Sequence, residues 1–263
     1  MATYNRSKFI GGAVKSVLDQ SYEDWEIVVS DDSENTETEL EFRKFSNDPR
    51  VRYFHRTTRG TIANSSNFAL SQSKGEYVAI LDDDDWWIDP KKLEKQVAFL
   101  DTHPDYIGCG GGFIMVNQEG ENMGRVLKPE TDQAIRRVAL YANPMANSTT
   151  MFRRVPAGPY DESVRQFADW DFWLKLGMLG KIYNFPEYFL AYRMWAGGAS
   201  FSHQAENAKW GRAIVLRYRR QYPGFLKAIT MANLYIAYAR LPLGIRRWTN
   251  GFLSKLKKSI FSR

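Results

Sequence analysis

Asp82, Asp83, Asp84 and Asp85 form an unbroken acidic run between the apolar stretch Tyr77-Val78-Ala79-Ile80-Leu81 and the pair Trp86-Trp87. Carboxylates delivered to the end of a strand are the oxygen donors that hard divalent cations take, and such cations carry phosphates with them. Adjacent like charges repel by about 1 kcal/mol per pair even in water-like dielectric, so the run requires a counter-ion. Taken alone, it also reads as a solvated acidic loop. A second acid pair, Asp31-Asp32, follows the apolar Ile27-Val28-Val29, and Asp169 and Asp171 open the segment Asp169-Trp-Asp-Phe-Trp-Leu174. Oxygen-only donors suit Mg²⁺ or Mn²⁺ over Zn²⁺, and a nucleotide diphosphate is the ligand such a rim would hold.

The acids need a scaffold that brings strand ends together. Residues 7–19 place Phe9, Ile10, Ala13, Val14, Val17 and Leu18 at helical spacing, while residues 25–29 and 51–54 read as strands and 62–73 as a helix. This alternation predicts an α/β fold with a mainly parallel central sheet flanked by helices, whose ligands bind beyond the carboxyl ends of the strands. Residues 90–100 follow as a helix with Pro90 in its first turn, then a Gly-rich strand over 108–116, a helix over 132–141 and a short strand over 148–152. A further helix is predicted from Asp169 to Gly180.

With 263 residues, 44% of them apolar, the chain can build a substantial core. Its single cysteine, Cys109, allows no internal disulfide, which points to a reducing, cytoplasmic setting. No stretch reaches the roughly 20 apolar residues of a spanning helix. Charge is unevenly placed: residues 205–263 hold 13 Lys and Arg against one acid, Glu206, a net +12, so residues 1–204 carry −6 of the chain's +6. An acidic body joined near residue 204 to a basic extension argues against nucleic-acid binding by the whole molecule. Within the extension, Ile245, Trp248, Phe252, Leu256 and Ile260 recur at helical spacing among Arg246, Arg247, Lys255, Lys257 and Lys258. That pattern predicts a helix lying in the plane of an anionic membrane, or one packed on the body.

Six segments in order, Thr3-Tyr-Asn-Arg6, Ser16-Val-Leu-Asp-Gln-Ser-Tyr22, Ile27-Val-Val-Ser-Asp-Asp-Ser33, Gly75-Glu-Tyr-Val-Ala-Ile-Leu-Asp-Asp-Asp-Asp-Trp86, Asp169-Trp-Asp-Phe-Trp-Leu174 and Ala191-Tyr-Arg193, span about residues 1–202. Together they resemble family 2 of the nucleotide-sugar glycosyltransferases, inverting enzymes with the Rossmann-like A-type fold. The resemblance implies that Thr3 and Tyr4 line the nucleoside pocket, that Asp31 or Asp32 contacts the base, and that Asp82 approaches the ribose. It places Asp83 in the donor-binding set, Asp84 on Mg²⁺ or Mn²⁺ at the diphosphate, and Asp169 as the catalytic base. It further implies a sugar or lipid-linked saccharide acceptor, a role in bacterial surface-polysaccharide or glycolipid synthesis, and a peripheral position on the inner face of the plasma membrane.

Asp169 also reads as a helix N-cap, a role compatible with that of base, and Asp171, two residues on, should face elsewhere. Trp86, Trp87, Trp170 and Trp173 are either core or sugar-stacking surfaces. Arg56 and Arg59 are candidate phosphate partners, with Arg56 expected in solvent.

Three departures from the family pattern stand out. Met1 falls where a first apolar strand should be ending, so either the start is set several residues late or the sheet has a gap with unpaired backbone groups. Trp195 replaces the histidine of Tyr-Arg-x-His, with His203 a distant substitute, and Ala168 replaces the acid before the base. These leave an inactive nucleotide-sugar binder or membrane scaffold as the alternative. A nucleotidyltransferase would need a Gly-rich, Lys/Arg-bearing triphosphate loop near the N-terminus, which the sequence lacks.

Overall fold

The computed structural model describes residues 1–154, 160–195 and 204–241. Helix α1 (Ser7–Leu18) buries Ile10, Ala13, Val14 and Val17 and leaves Lys8 and Lys15 exposed, the two faces set by their spacing. Strands β1 (Ala2–Thr3), β2 (Ile27–Asp31) and β3 (Val51–His55) run parallel, in that order. All of β2 is buried, as expected of a central strand covered on both faces. Between β2 and β3 comes α2 (Glu37–Phe42), a short helix with no periodic pattern, which buries only Thr38 and Phe42. Thr61 caps α3 (Ile62–Gln72), its hydroxyl accepting from Asn64 N at 3.2 Å.

The second sheet comprises β4 (Tyr77–Ala79), β5 (Trp86–Trp87), β6 (Tyr106–Val116), β7 (Asn122–Val126), β8 (Met151–Arg153) and β9 (Lys181–Arg193). Its order is β4-β8-β6-β9-β5, with β7 on β6. The α/β layering follows the sequence, and parallel pairing is found within β1–β3 and between β6 and β9 while the other pairs are antiparallel. Helix α4 (Lys92–Thr102) packs on β6, α5 (Asp132–Val138) on β9, and α6 (Ala168–Leu176) enters the core through Phe172, Trp173 and Leu176.

Strand β4 is shorter and less covered than its apolar run suggests, with all three residues half-buried. Its alternate backbone groups bond one neighbour: Arg154 N donates to Glu76 O at 2.8 Å and Ile80 N to Thr150 O at 3.1 Å. Among the described residues the other edge of β4 faces a slot instead of a strand. Val28, Tyr77, Ala79 and Leu81 flank that slot, with Val17 and Leu93 beside them, and it opens into a cavity of about 1160 Å³. Among the described residues β4 is thus left with an open edge, the second of the two alternatives posed at Met1, and the first, a late start, is not decided by it. Beside the slot the Met1 amino group donates to Val28 O at 2.9 Å, and burial brings its pKa down to about 6.

Helices α7 (Gln204–Arg217) and α8 (Phe225–Ala239) pack together, and Ile214, Val215 and Tyr218 cluster with Trp170 and Leu174 of α6. The amphipathic stretch over residues 245–260 and His203 lie outside the described residues. Among the described residues no helix is long and apolar enough to cross a membrane.

Candidate active site

The acidic run leaves β4 with alternating exposure: Asp82 and Asp84 are half-buried, Asp83 and Asp85 buried. Asp82 Oδ2 accepts from Ser148 Oγ at 2.9 Å, and its own amide donates to the same hydroxyl at 3.1 Å. Burial, reinforced by Asp84, pushes the Asp82 pKa up to about 6; the same two causes push Asp83 to about 7. Asp85 Oδ1 accepts from Arg193 N at 3.0 Å, and burial lifts its pKa well above its ordinary value. Asp84 is treated differently. Its Oδ2 takes Arg6 Nη1 at 2.8 Å and Trp195 Nε1 at 2.9 Å. Arg6 reaches it because Asn5, at φ +53°, turns the chain between β1 and α1 and anchors its amide on Ser33 Oγ at 2.8 Å.

At the end of β2 the two aspartates separate. Asp31 is fully buried, its carboxylate accepting from the Ser33 amide and the Tyr53 hydroxyl, away from the cavity lining. Asp32 lines the cavity, accepts from Gly60 N at 3.0 Å and pairs with Arg56 Nε at 3.4 Å. Arg56, expected in solvent, is instead half-buried between Asp32 and Asn64 with Phe68 beneath it, because the β3–α3 loop folds over the strand end. Thr3 and Tyr4 also line the cavity; Arg59 lies over the Tyr4 ring at 4.0 Å.

Helix α6 begins one residue before Asp169, behind Phe167 at φ +60°. Asp169 is thus within the first turn and is not the cap. Its Oδ2 accepts from Asn143 Nδ2 at 2.7 Å. Burial raises its pKa, opposed by the Trp170 amide, Asn143 and then the Lys128 charge. Lys128, whose own pKa burial lowers, donates to Asn143 O at 2.9 Å. Asp171 points the other way and pairs with Arg217 Nη1 at 2.8 Å. One cavity is lined by Thr3, Asp32, Asp82, Asp84 and Asp169 together.

Of the four tryptophans considered for sugar contact, Trp87 lines this cavity, with Nε1 fixed on Ser148 O at 2.8 Å. Trp170 and Trp173 are core, the former tied to Ala139 O at 2.7 Å, and Trp86 lies under Arg193 at 4.8 Å. Asn143, Lys128 and Ser148 belong to the site without any spacing pattern that marks them. Arg6 was within a recognised motif, but its role depends on a residue 78 positions away.

Among the described residues no three His, Cys, Asp or Glu side chains converge as metal ligands. Asp84 is the acid placed for such a role, and the oxygen it turns to Arg6 and Trp195 is already neutralised. The described residues thus build no all-protein cage, and an ion on Asp84 would depend on donor phosphates and water for its other ligands.

A family model described as glycosyl transferase family 2 matches residues 1–157. The putative glycosyltransferase EpsE of Bacillus subtilis is 29% identical over 195 residues, 71% of this chain and 69% of that protein. Staphylococcus aureus TarS 1-349 in complex with UDP-GlcNAc superposes with a TM-score of 0.65 at 18% identity, covering 95% of this chain and 77% of that one. The mannosyltransferase PcManGT from Pyrobaculum calidifontis, in complex with GDP-Man and Mn²⁺, gives 0.65 at 20% identity, covering 89% and 68%. Of a longer TarS chain, this one spans 42%. The shared fold is the A-type glycosyltransferase architecture, and with the family model matching more than half of its length, the chain belongs to glycosyl transferase family 2.

Proposed function

We propose that this chain is an inverting glycosyltransferase that moves a sugar from a nucleotide-diphosphate donor to a hydroxyl acceptor, with Asp169 as general base. The observation that carries this reading is a half-buried carboxylate, steadied by Asn143 and a helix first turn, on the wall of the cavity that also holds Thr3, Asp32, Asp82, Asp83 and Asp84. Burial strengthens Asp169 as a proton acceptor. The acceptor oxygen bonds to the anomeric carbon as the bond to the donor phosphate breaks on the opposite face; the acceptor proton passes to Asp169 and the nucleoside diphosphate leaves. Thr3, Tyr4 and Asp32 hold the nucleoside end, and Asp82, oriented by Ser148, meets the ribose.

A divalent ion such as Mg²⁺ or Mn²⁺ would stabilise charge on the departing diphosphate. For Asp84 to hold it through Oδ2, Arg6 would have to leave. A peripheral membrane position is supported by α8, which buries Ala228 and Ala239 while Leu226 and Leu234 stand 77% and 65% exposed. Such a position suits a lipid-linked acceptor and surface-polysaccharide synthesis.

The test is a panel of UDP- and GDP-sugars scored for binding, hydrolysis and transfer, with Asp169→Asn alongside. The variant should bind donor like the wild type and transfer at least about a hundredfold more slowly. Undiminished transfer would remove the base assignment. Donor binding by the wild type without transfer or hydrolysis would favour an inactive nucleotide-sugar binder.

A further inference from the structure

The acids of the run are not equivalent in how their charge is met. Asp82 has a serine hydroxyl and Asp85 a backbone amide, whereas among the described residues only Asp84 of the run is paired with a full cation. That cation is well held. Its guanidinium lies over the Trp195 ring at 4.4 Å, Trp195 packs on Phe9 at 5.3 Å, and the Trp195 Nε1 closes the triangle on the same Asp84 oxygen. Backbone position is fixed as well, since Arg6 directly precedes the first turn of α1 and follows the left-handed Asn5.

Only Nη1 of the fork is engaged among the described residues, and Arg6 lines the cavity shared by Thr3, Asp82 and Asp169. A planar guanidinium with free N–H groups matches two phosphate oxygens at once, a geometry a lone ammonium cannot offer. A dianionic diphosphate entering among Asp82, Asp83 and Asp84 needs positive charge at that point. A divalent ion taken by Asp84 Oδ2 would be pressed against the guanidinium and would have to displace both Arg6 and the Trp195 N–H.

We propose that Arg6, clamped by Asp84 and Trp195, is the cation that binds the donor diphosphate, with Asp84 as its positioning residue. The assignment rests on the donor reading above. Trp195, at a position where the family pattern has histidine, then supplies the stacking face for the arginine.

Calorimetric titration of the full chain with UDP and GDP, in EDTA and again in Mn²⁺, tests this. Wild-type affinity should differ less than threefold between the two buffers. Arg6→Met should lose at least tenfold in both, and Arg6→Lys, which keeps the charge without the fork, should fall between them. Asp84→Asn should weaken binding in EDTA, and the double variant with Arg6→Met should be no weaker than Arg6→Met alone. Should Arg6→Met fold poorly by thermal melting, Arg6→Lys carries the comparison. Binding by the wild type in Mn²⁺ but not in EDTA, or wild-type affinity in the Arg6 variants, overturns the proposal. Absence of nucleotide binding in either buffer instead refutes the donor reading on which it stands.

Discussion

Asn143 Nδ2 stands 2.7 Å from Asp169 Oδ2 while the carbonyl of the same residue accepts from Lys128 Nζ at 2.9 Å. One asparagine thus steadies the carboxylate and places the lysine charge that acts on it. A hydrogen bond to a charged group is worth about 1.5–3 kcal/mol. Asn143→Ala should therefore lower kcat by roughly 10–100-fold and leave donor affinity near the wild-type value. Steady-state rates combined with nucleotide titration check this; a matching loss of donor affinity would mean that Asn143 serves the cavity as a whole.

Lys128 should show itself in the pH profile. Asp169 must be ionised to accept a proton, so activity falls as pH drops through its pKa, which burial has raised. The Lys128 charge opposes that rise. Removing it in Lys128→Met lifts the Asp169 pKa further and moves the acid limb of kcat to higher pH, so the variant loses proportionally more rate at pH 6 than at pH 8. A limb that stays in place, or moves to lower pH, contradicts the coupling.

What the chain discloses before folding follows from the range of each interaction. The amphipathic spacing of α1, the apolar run of β2 and the acids at strand ends are local, and they point to the layered fold and to Asp82 and Asp84 at its rim, whereas the site role of Asp169 follows only from the family resemblance. Partners that meet only through tertiary contact leave no local trace. Arg6 with Asp84, Asn143 with Asp169 and Ser148 with Asp82 are each joined across many residues. Asp31 and Asp32 read alike in sequence, and only Tyr53 and Ser33, which claim Asp31, distinguish them. Helix α2 has six residues, too few to display a periodicity.

Arg217 joins the basic extension to the site helix. It pairs with Asp171 at 2.8 Å and Asp161 at 2.8 Å, and the Asp171 side chain is only 2% exposed. Arg217→Met leaves that carboxylate buried without its cation, at a cost of about 1–3 kcal/mol. Pairing the change with Asp171→Asn should recover part of the loss, because the stranded charge is then gone. Urea unfolding of both single variants and the double variant measures the coupling. Strictly additive losses would show that the pair contributes nothing of its own.

The slot beside β4 makes its own demand on the backbone. Glu76, Val78 and Ile80 direct their amide groups to β8, as the bonds from Arg154 N to Glu76 O and from Ile80 N to Thr150 O fix the alternation. Tyr77 and Ala79 must then turn theirs towards the slot, where no strand among the described residues receives them. Hydrogen exchange followed by NMR should show the Val78 and Ile80 amides protected, and those of Tyr77 and Ala79 exchanging about tenfold faster or more. Equal protection along β4 would require that another segment pairs with its open edge in solution. Protection of Tyr77 and Ala79 that appears only on adding nucleotide would instead indicate that the slot narrows when the adjoining cavity fills.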